Sequence, residues 1–393
     1  MVYLDHAATT PMLPQVKDAF FAAMDEYGNP SSLHAKGRAA RRRVEEARED
    51  IAAALGARPS EIIFTGTGTE SDNLAVKGIY WARKSENPER DVIIASPVEH
   101  HAVLDALEWL HTHEGAYIHW LSVDEYGRVS PDAFADALSE YGARVALATV
   151  MWANNEVGTI QPISELTEAA KLAEVPFHTD AVQAISQLPV AFDTSGAQAL
   201  TLTAHKIGGP HSVAALILSK DTKCAPLLHG GGQERQVRSG TLDTASIVAM
   251  GVAVRHAVDN QSAHAADVAA LRDELVAGVR AQVPEAILQG DPVHRLPGNA
   301  YFSFPGCEGD ALLMLLDAQG IQCSTGSACT AGVPQPSHVL LAMGKGPILA
   351  RSSIRFSLGH TSTTEDVAAL ISVLPRVVER ARSATASHAN MPG

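Results

Sequence analysis

Apolar residues recur along this chain in two textures. In the first, short continuous runs alternate with helical patterns. Glu61–Thr65 reads as a strand, and the turn Gly66-Thr67-Gly68-Thr69 leads into a helix beginning near Glu70-Ser71-Asp72. Val92–Ala95 reads as the next strand, followed by a helix over Ala102–Leu110. Further strands are predicted at Val145–Val150, Val175–Thr179, Leu200–Thr203 and Val213–Leu218. Unbroken apolar strands separated by helices predict a mostly parallel sheet buried on both faces.

The texture changes after about Asn260. Over Ala266–Val283, Val268, Leu271, Leu275, Val276 and Val279 fall on one helical stripe, which predicts an amphipathic surface helix. Ala300–Phe304 and Ser353–Ser357 alternate as half-buried strands do. A last helix, from about Thr364 to Arg382, carries Pro375, where a kink is expected. The expected fold class is α/β: a large domain over 13–260 with a mixed, mostly parallel sheet, plus a smaller α+β domain from 1–12 and 261–393.

Composition removes several function classes. Hydrophobic residues make up 46% of the 393 positions and charged residues 19%, which suits a globular chain. The formal net charge of −14 disfavours a general nucleic-acid footprint. No stretch has the roughly 18 or more apolar residues a membrane helix needs, and the N-terminus has no signal-peptide pattern. A soluble, cytoplasmic protein is expected, with no direct nucleic-acid or membrane partner. The four cysteines, Cys224, Cys307, Cys323 and Cys329, form no C-x-x-C pair, so neither a disulfide framework nor a zinc ribbon is expected.

Three segments carry candidate chemistry. The strand–glycine–helix turn at Gly66–Ser71 can present backbone N–H groups to an anion. It reads as a phosphate cradle, a plain tight turn, or a degenerate nicotinamide site in which Ser71 replaces the third glycine. Lys206 ends an apolar strand between His205 and the Ile207-Gly208-Gly209-Pro210 turn, where partial desolvation suits Schiff-base chemistry; alone it is equally a strand-end lysine reaching solvent. Asp180 closes the preceding strand. A lysine, a carboxylate for a pyridine nitrogen and a phosphate cradle, all at strand ends, together point to pyridoxal phosphate.

The third segment is Cys323–Pro336, where Gly, Ser, Thr and Pro around Cys329 signal an exposed, mobile loop (about 323–337) and a nucleophilic thiol. Cys224 and Cys307 read as buried small hydrophobes, and Cys323 as a conceivable redox neighbour of Cys329. His229-Gly230-Gly231-Gly232 resembles an esterase oxyanion loop, but no Gly-x-Ser-x-Gly elbow exists in the chain. The seventeen histidines include no His-Glu-x-x-His. Arg41-Arg42-Arg43, followed by Glu45 and Glu46, reads as a solvated helix face.

These motifs, together with Tyr3–Thr10, Gly28–Ser32, Thr69–Asn73, Glu99-His100, Asn154–Gly158, Arg238–Thr241, Gly326–Thr330 and Ser353–Gly359, resemble the cysteine desulfurases almost end to end. These are pyridoxal phosphate enzymes of the class V aminotransferase group and fold-type I. The loop at Cys329 is similar to that of the long-loop housekeeping branch. The resemblance implies that Lys206 holds the cofactor covalently and shuttles protons. It implies that Asp180 meets the pyridine nitrogen, Gln183 the ring hydroxyl, and that His100 stacks on the ring and assists proton transfer.

Gly68, Thr69, Thr203 and His205 would hold the phosphate, with Thr241 reaching in from the second subunit of a homodimer. Asn155 and Arg355 would orient L-cysteine, and Cys329 would take its sulfur as a persulfide. Apart from a transient cluster iron on Cys329, no metal is expected. The implied sulfur acceptors are an iron–sulfur scaffold or a tRNA-thiolation enzyme. The tail Ser383–Gly393 does not resemble the scaffold-docking extension of well-known members, which gives the second acceptor equal standing.

Overall fold

The structure is a computed structural model and describes residues 1–326 and 335–389. Among the described residues, twelve strands form three sheets. In chain order they are β1 (Val2–Tyr3), β2 (Ile62–Thr65), β3 (Val92–Ala95), β4 (Tyr117–Trp120), β5 (Val145–Thr149), β6 (Phe177–Asp180), β7 (Ala199–Thr203), β8 (Ala214–Leu218), β9 (Ile287–Gln289), β10 (Asn299–Ser303), β11 (Ile321–Gln322) and β12 (Ser353–Ser357).

The largest sheet has the order β2-β8-β7-β6-β5-β3-β4. Neighbours from β7 through β4 run parallel, whereas β8 is antiparallel to both β7 and β2. Two reversals restore β2 to the direction of β7, so its C-terminal end opens on the same edge as those of β3, β5, β6 and β7. That edge is where open α/β sheets bind ligands.

Both faces of the sheet are covered. Ile63, Ile93 and Leu216 pack with Leu74, Ile79, Val103 and Leu107 of the helices Gly68–Glu86 and His101–Glu114. Their sheet neighbours Leu200 and Ile217 point the other way, onto Val44, Ile51, Ile247 and Val254 of the helices Ala35–Ala54 and Thr244–Asp259. Two-sided burial is why these strands read as apolar runs rather than alternating ones.

The helix after β2 begins at Gly68, slightly ahead of the Glu70 start expected from the sequence. Thr67 caps it, its hydroxyl accepting from the Glu70 N–H at 3.0 Å. Strand β4 escaped the sequence pattern. It is an edge strand with Tyr117 and Trp120 exposed, so no apolar run marks it.

The antiparallel sheet β9-β10-β12 and the short parallel pair β1–β11 share another core. Leu4 joins Val268, Leu275, Val279, Phe302, Phe304, Ile354, Phe356, Leu370 and Leu374 there. The stripe at Val268–Val279 lies on the helix Gln261–Gln282. The expected half-burial of β10 and β12 is corrected, because every residue of both strands is buried. One face lies on that helical core. On the other, Tyr301 packs with Met151, Val157, Val339 and Met343, and Ser303 bonds Ser353 at 2.7 Å. The alternation marks two environments, both of them interior.

Candidate active site

A cavity of about 420 Å³ opens at the C-terminal ends of β2, β3, β5, β6 and β7. Gly68, Thr69, His100, Asn155, Asp180, Gln183, Thr203, His205, Lys206 and Arg355 all line it. Sequence positions spread over nearly three hundred residues thus meet at one edge of one sheet.

The anion end forms first. The first backbone N–H groups of a helix have no intrahelical partner, which leaves those of Gly68 and Thr69 free beside Thr203 and His205. The turn after Lys206 needs glycine, since Gly208 sits at φ +77° and a Cβ on Gly209 would lie 2.6 Å from that of Ala204. Leu13 N–H and Thr10 N–H bond the carbonyls of Gly208 and His205 at 3.0 Å, laying the N-terminal segment across this turn.

Lys206 Nζ donates to the carbonyls of Ala7 and Ala8, the latter at 2.8 Å. Gln183 Nε2 donates to the same Ala7 carbonyl at 2.9 Å. Burial, and then the Arg355 charge, bring the Lys206 ammonium down to about 8, against the opposing pull of Asp5 and Asp180. Burial pushes the Asp180 carboxyl up to about 6, although its Oδ1 accepts the Val182 N–H at 2.8 Å and Lys206 pulls the other way.

His100 caps the helix His101–Glu114. Its Nδ1 accepts the Ala102 N–H at 3.1 Å, so a neutral ring carries its proton on Nε2. The ring lines the cavity. Burial, then the Lys206 charge, lower it to about 4.

Arg355 arrives from β12. Its Nη2 meets Asp5 Oδ1 and its Nη1 meets the Asn155 carbonyl, both at 2.9 Å, while Nε is buried without a partner. Asp5 was not among the sequence candidates. Nor were Asp72 and Glu99, two carboxyls buried beneath the site. Asp72 is raised well above its ordinary value by burial and by Asp180, and Glu99 is raised to about 8, chiefly by burial. Glu99 Oε1 accepts the Met151 N–H at 2.6 Å. Glu99 belongs to the Glu99-His100 motif, which assigns a role to the histidine alone. Asp72 looks like a surface helix residue until the sheet closes over it.

One candidate is not brought into the cavity by this chain. Thr241 is exposed and does not line it. Its loop is tied down by Glu234, which takes two bonds from the Arg48 guanidinium at 2.7 and 2.8 Å and one from the Phe64 N–H at 2.9 Å. A second tie joins Arg238 to Glu70 at 2.8 Å. Cys329 lies outside the described residues; Ser324 and Gly326, on the near side of its loop, line the cavity. Cys323 is buried and burial pushes its thiol up to about 12, which suits a packing residue rather than a redox partner. Cys307 is buried as expected. Cys224 is only partly buried, its Sγ donating to the Leu74 carbonyl at 3.3 Å.

The chain matches the aminotransferase class-V family over residues 2–370. It belongs to that family. It is 58% identical over 386 residues to an IscS-like cysteine desulfurase of Mycobacterium tuberculosis, covering 98% of each chain. It is 42% identical over 384 residues to the cysteine desulfurase NifS of Azotobacter vinelandii, covering 97% of this chain and 94% of that one. Among solved structures, a NifS-like protein superposes with a TM-score of 0.89 at 34% identity, over 96% of this chain and 99% of the other. The protein is thus a class-V enzyme of the cysteine desulfurase group, and its cofactor is pyridoxal phosphate. The residues fit that cofactor: free helix N–H groups at one end, a buried carboxyl at the other, and a desolvated lysine between them. No helix among the described residues is long and apolar enough to cross a membrane.

Proposed function

We infer that this chain releases the sulfur of L-cysteine as a persulfide on Cys329, with L-alanine as the other product. The observation carrying this reading is the single cavity that gathers the cradle, Asp180, Lys206 and Arg355. Bound there, pyridoxal phosphate supplies an electron sink for the substrate's α-carbon. Gly68, Thr69, Thr203 and His205 hold its phosphate, joined by Thr241 of the partner subunit in a homodimer. Asp180 holds the proton on the ring nitrogen, Gln183 faces the ring hydroxyl and His100 covers the ring.

Arg355 and Asn155 orient the substrate. The Arg355 guanidinium meets the carboxylate in competition with Asp5, a charge-assisted contact. Lys206 Nζ takes the α-proton and later returns one, and its depressed value near 8 keeps a fraction unprotonated at neutral pH. His100 Nε2 serves the same proton traffic.

The Cys329 thiolate attacks the substrate sulfur. The S–S bond forms as the Cβ–S bond breaks, and the carbon fragment gains protons to leave as alanine. The loop around Cys329 then carries the sulfur to an acceptor protein, an iron–sulfur scaffold or a tRNA-thiolation enzyme, in the cytoplasm. The division into 13–260 against 1–12 plus 261–393 puts this loop on the smaller domain.

The test is alanine release from L-cysteine by the cofactor-loaded protein beside its Cys329→Ser variant. Multiple turnovers by the parent and loss in the variant, with cofactor absorbance retained in both, are expected. Equal rates would remove the persulfide step and leave a lyase or transaminase.

A further inference from the structure

Behind Lys206, on the far side of Gln183 and Ala7 from the substrate cavity, lies a second cavity of about 90 Å³. Four histidines line it: His6 from the N-terminal segment, His256 and His264 from consecutive helices, and His360 after β12. Not one of its lining residues is Asp or Glu. Amides from Gln187, Asn260 and Asn299 and apolar side chains from Leu13, Leu296 and Leu358 complete the wall.

The four imidazoles are not equivalent. His6 is satisfied on both nitrogens, by Thr10 at Nδ1 and by Thr361 at Nε2 at 3.1 Å. Its ring lies flat against Gly359, where a Cβ would approach within 2.2 Å of Nδ1, so the chain leaves room for it. His256 Nδ1 accepts from the amides of Gln15 and Asn260 at 3.0 and 3.1 Å, which puts its proton on Nε2. The imidazoles of His264 and His360 have no hydrogen-bond partner among the described residues. Burial lowers both from the ordinary histidine value, aided by His256 at His264 and by His264 and His256 at His360, while Asp267 pulls His264 the other way; in either protonation state each ring keeps at least one N–H donor.

We propose that this cavity binds a short-chain carboxylate, received by the N–H groups of His264 and His360, with its carbon tail against Leu13, Leu296 and Leu358. Donors without an opposing acid select an anion, and the same lack rejects an amino acid, whose ammonium would find no carboxylate. The volume is far below the ~300–1,000 Å³ of pockets for drug-sized ligands, so the occupant has only a few heavy atoms. Lys206 and Gln183 line both cavities, which couples occupancy to the catalytic lysine.

The test titrates acetate and propionate into the holoenzyme by calorimetry, with chloride at equal ionic strength as the control. Saturable binding is expected, weakened at least about tenfold in His264→Leu/His360→Leu and restored in His264→Gln/His360→Gln, which keeps the donors. In steady-state assays both carboxylates inhibit without competing with cysteine. Competitive inhibition, binding indifferent to the Leu variants, or no saturable heat at tens of millimolar would each overturn the proposal. The binding heats do not depend on Cys329, so their failure is distinct from failure of the desulfurase reading.

Discussion

Replacing Glu234 by Gln would break the buried ion pair that anchors the Thr241 loop while keeping an acceptor for the Phe64 N–H. The side chains of Arg48 and Glu234 are 9% and 1% exposed and meet through two bonds of 2.7–2.8 Å. Arg48 also lies 4.7 Å over the Phe64 ring and donates to the Ile62 carbonyl at 2.7 Å, so it cannot swing out without losing both. Removing one member of a buried pair costs roughly 3–5 kcal/mol, because the remaining charge stays desolvated. Glu45, 3.1 Å from Arg48 Nε but 47% exposed, offsets at most about 1 kcal/mol of that. The expected loss is therefore about 2–4 kcal/mol.

Urea unfolding followed by circular dichroism measures it, with Arg48→Met and the double variant completing a cycle. The double variant buries no unpaired charge, so its loss should fall short of the summed single losses by at least about 2 kcal/mol. Additive losses, or a Glu234→Gln cost below about 1 kcal/mol, would refute the reasoning.

Other expectations follow from the same geometry. Because the ammonium form of Lys206 is not nucleophilic, pyridoxal phosphate attachment to the apoprotein, followed by absorbance, should accelerate as pH rises to about 8 and level off above it. Folding disfavours that charge, so this group adds to stability as pH climbs from about 8 toward the ordinary 10.5, a slope that Lys206→Met should remove. Lys206→Ala should lower alanine release by at least about a thousandfold, within the range of proton-transfer catalysis combined with lost attachment. Gly359→Ala drives a methyl into the His6 ring and should cost about 1–3 kcal/mol, read as a lowered Tm.

What the sequence revealed and what it hid have a common cause. Lys206, Asp180 and the cradle at Gly68 stand at strand ends, the first and last beside glycine turns, a local arrangement that residue order preserves. Arg355, Asn155 and Gln183 entered only through family resemblance, since nothing adjacent to them in the chain marks them. Asp72, Glu99 and Asp5 acquire their surroundings from strands and segments far away in sequence, and burial of that origin leaves no local trace. The same holds for β10 and β12, whose polar alternation pointed to solvent but met a second packed layer. Edge strand β4, with Tyr117 and Trp120 exposed at its two ends, shows neither the unbroken apolar run nor the alternation that strand patterning reads.

Val2 and Tyr3 pair with Ile321 and Gln322, and Ala7 and Ala8, a few residues on, receive the catalytic lysine. A ribosome adding ~5–20 residues per second needs roughly 15–60 s between making the first strand and its partner. Throughout that interval Val2 and Tyr3 have no strand to pair with, so the carbonyls awaiting Lys206 are anchored on one side only, through Thr10 and Leu13 on the turn after the lysine. The order of synthesis therefore makes this lysine's resting place among the last features to form, and a truncated or stalled chain carries the lysine without the geometry that disciplines it.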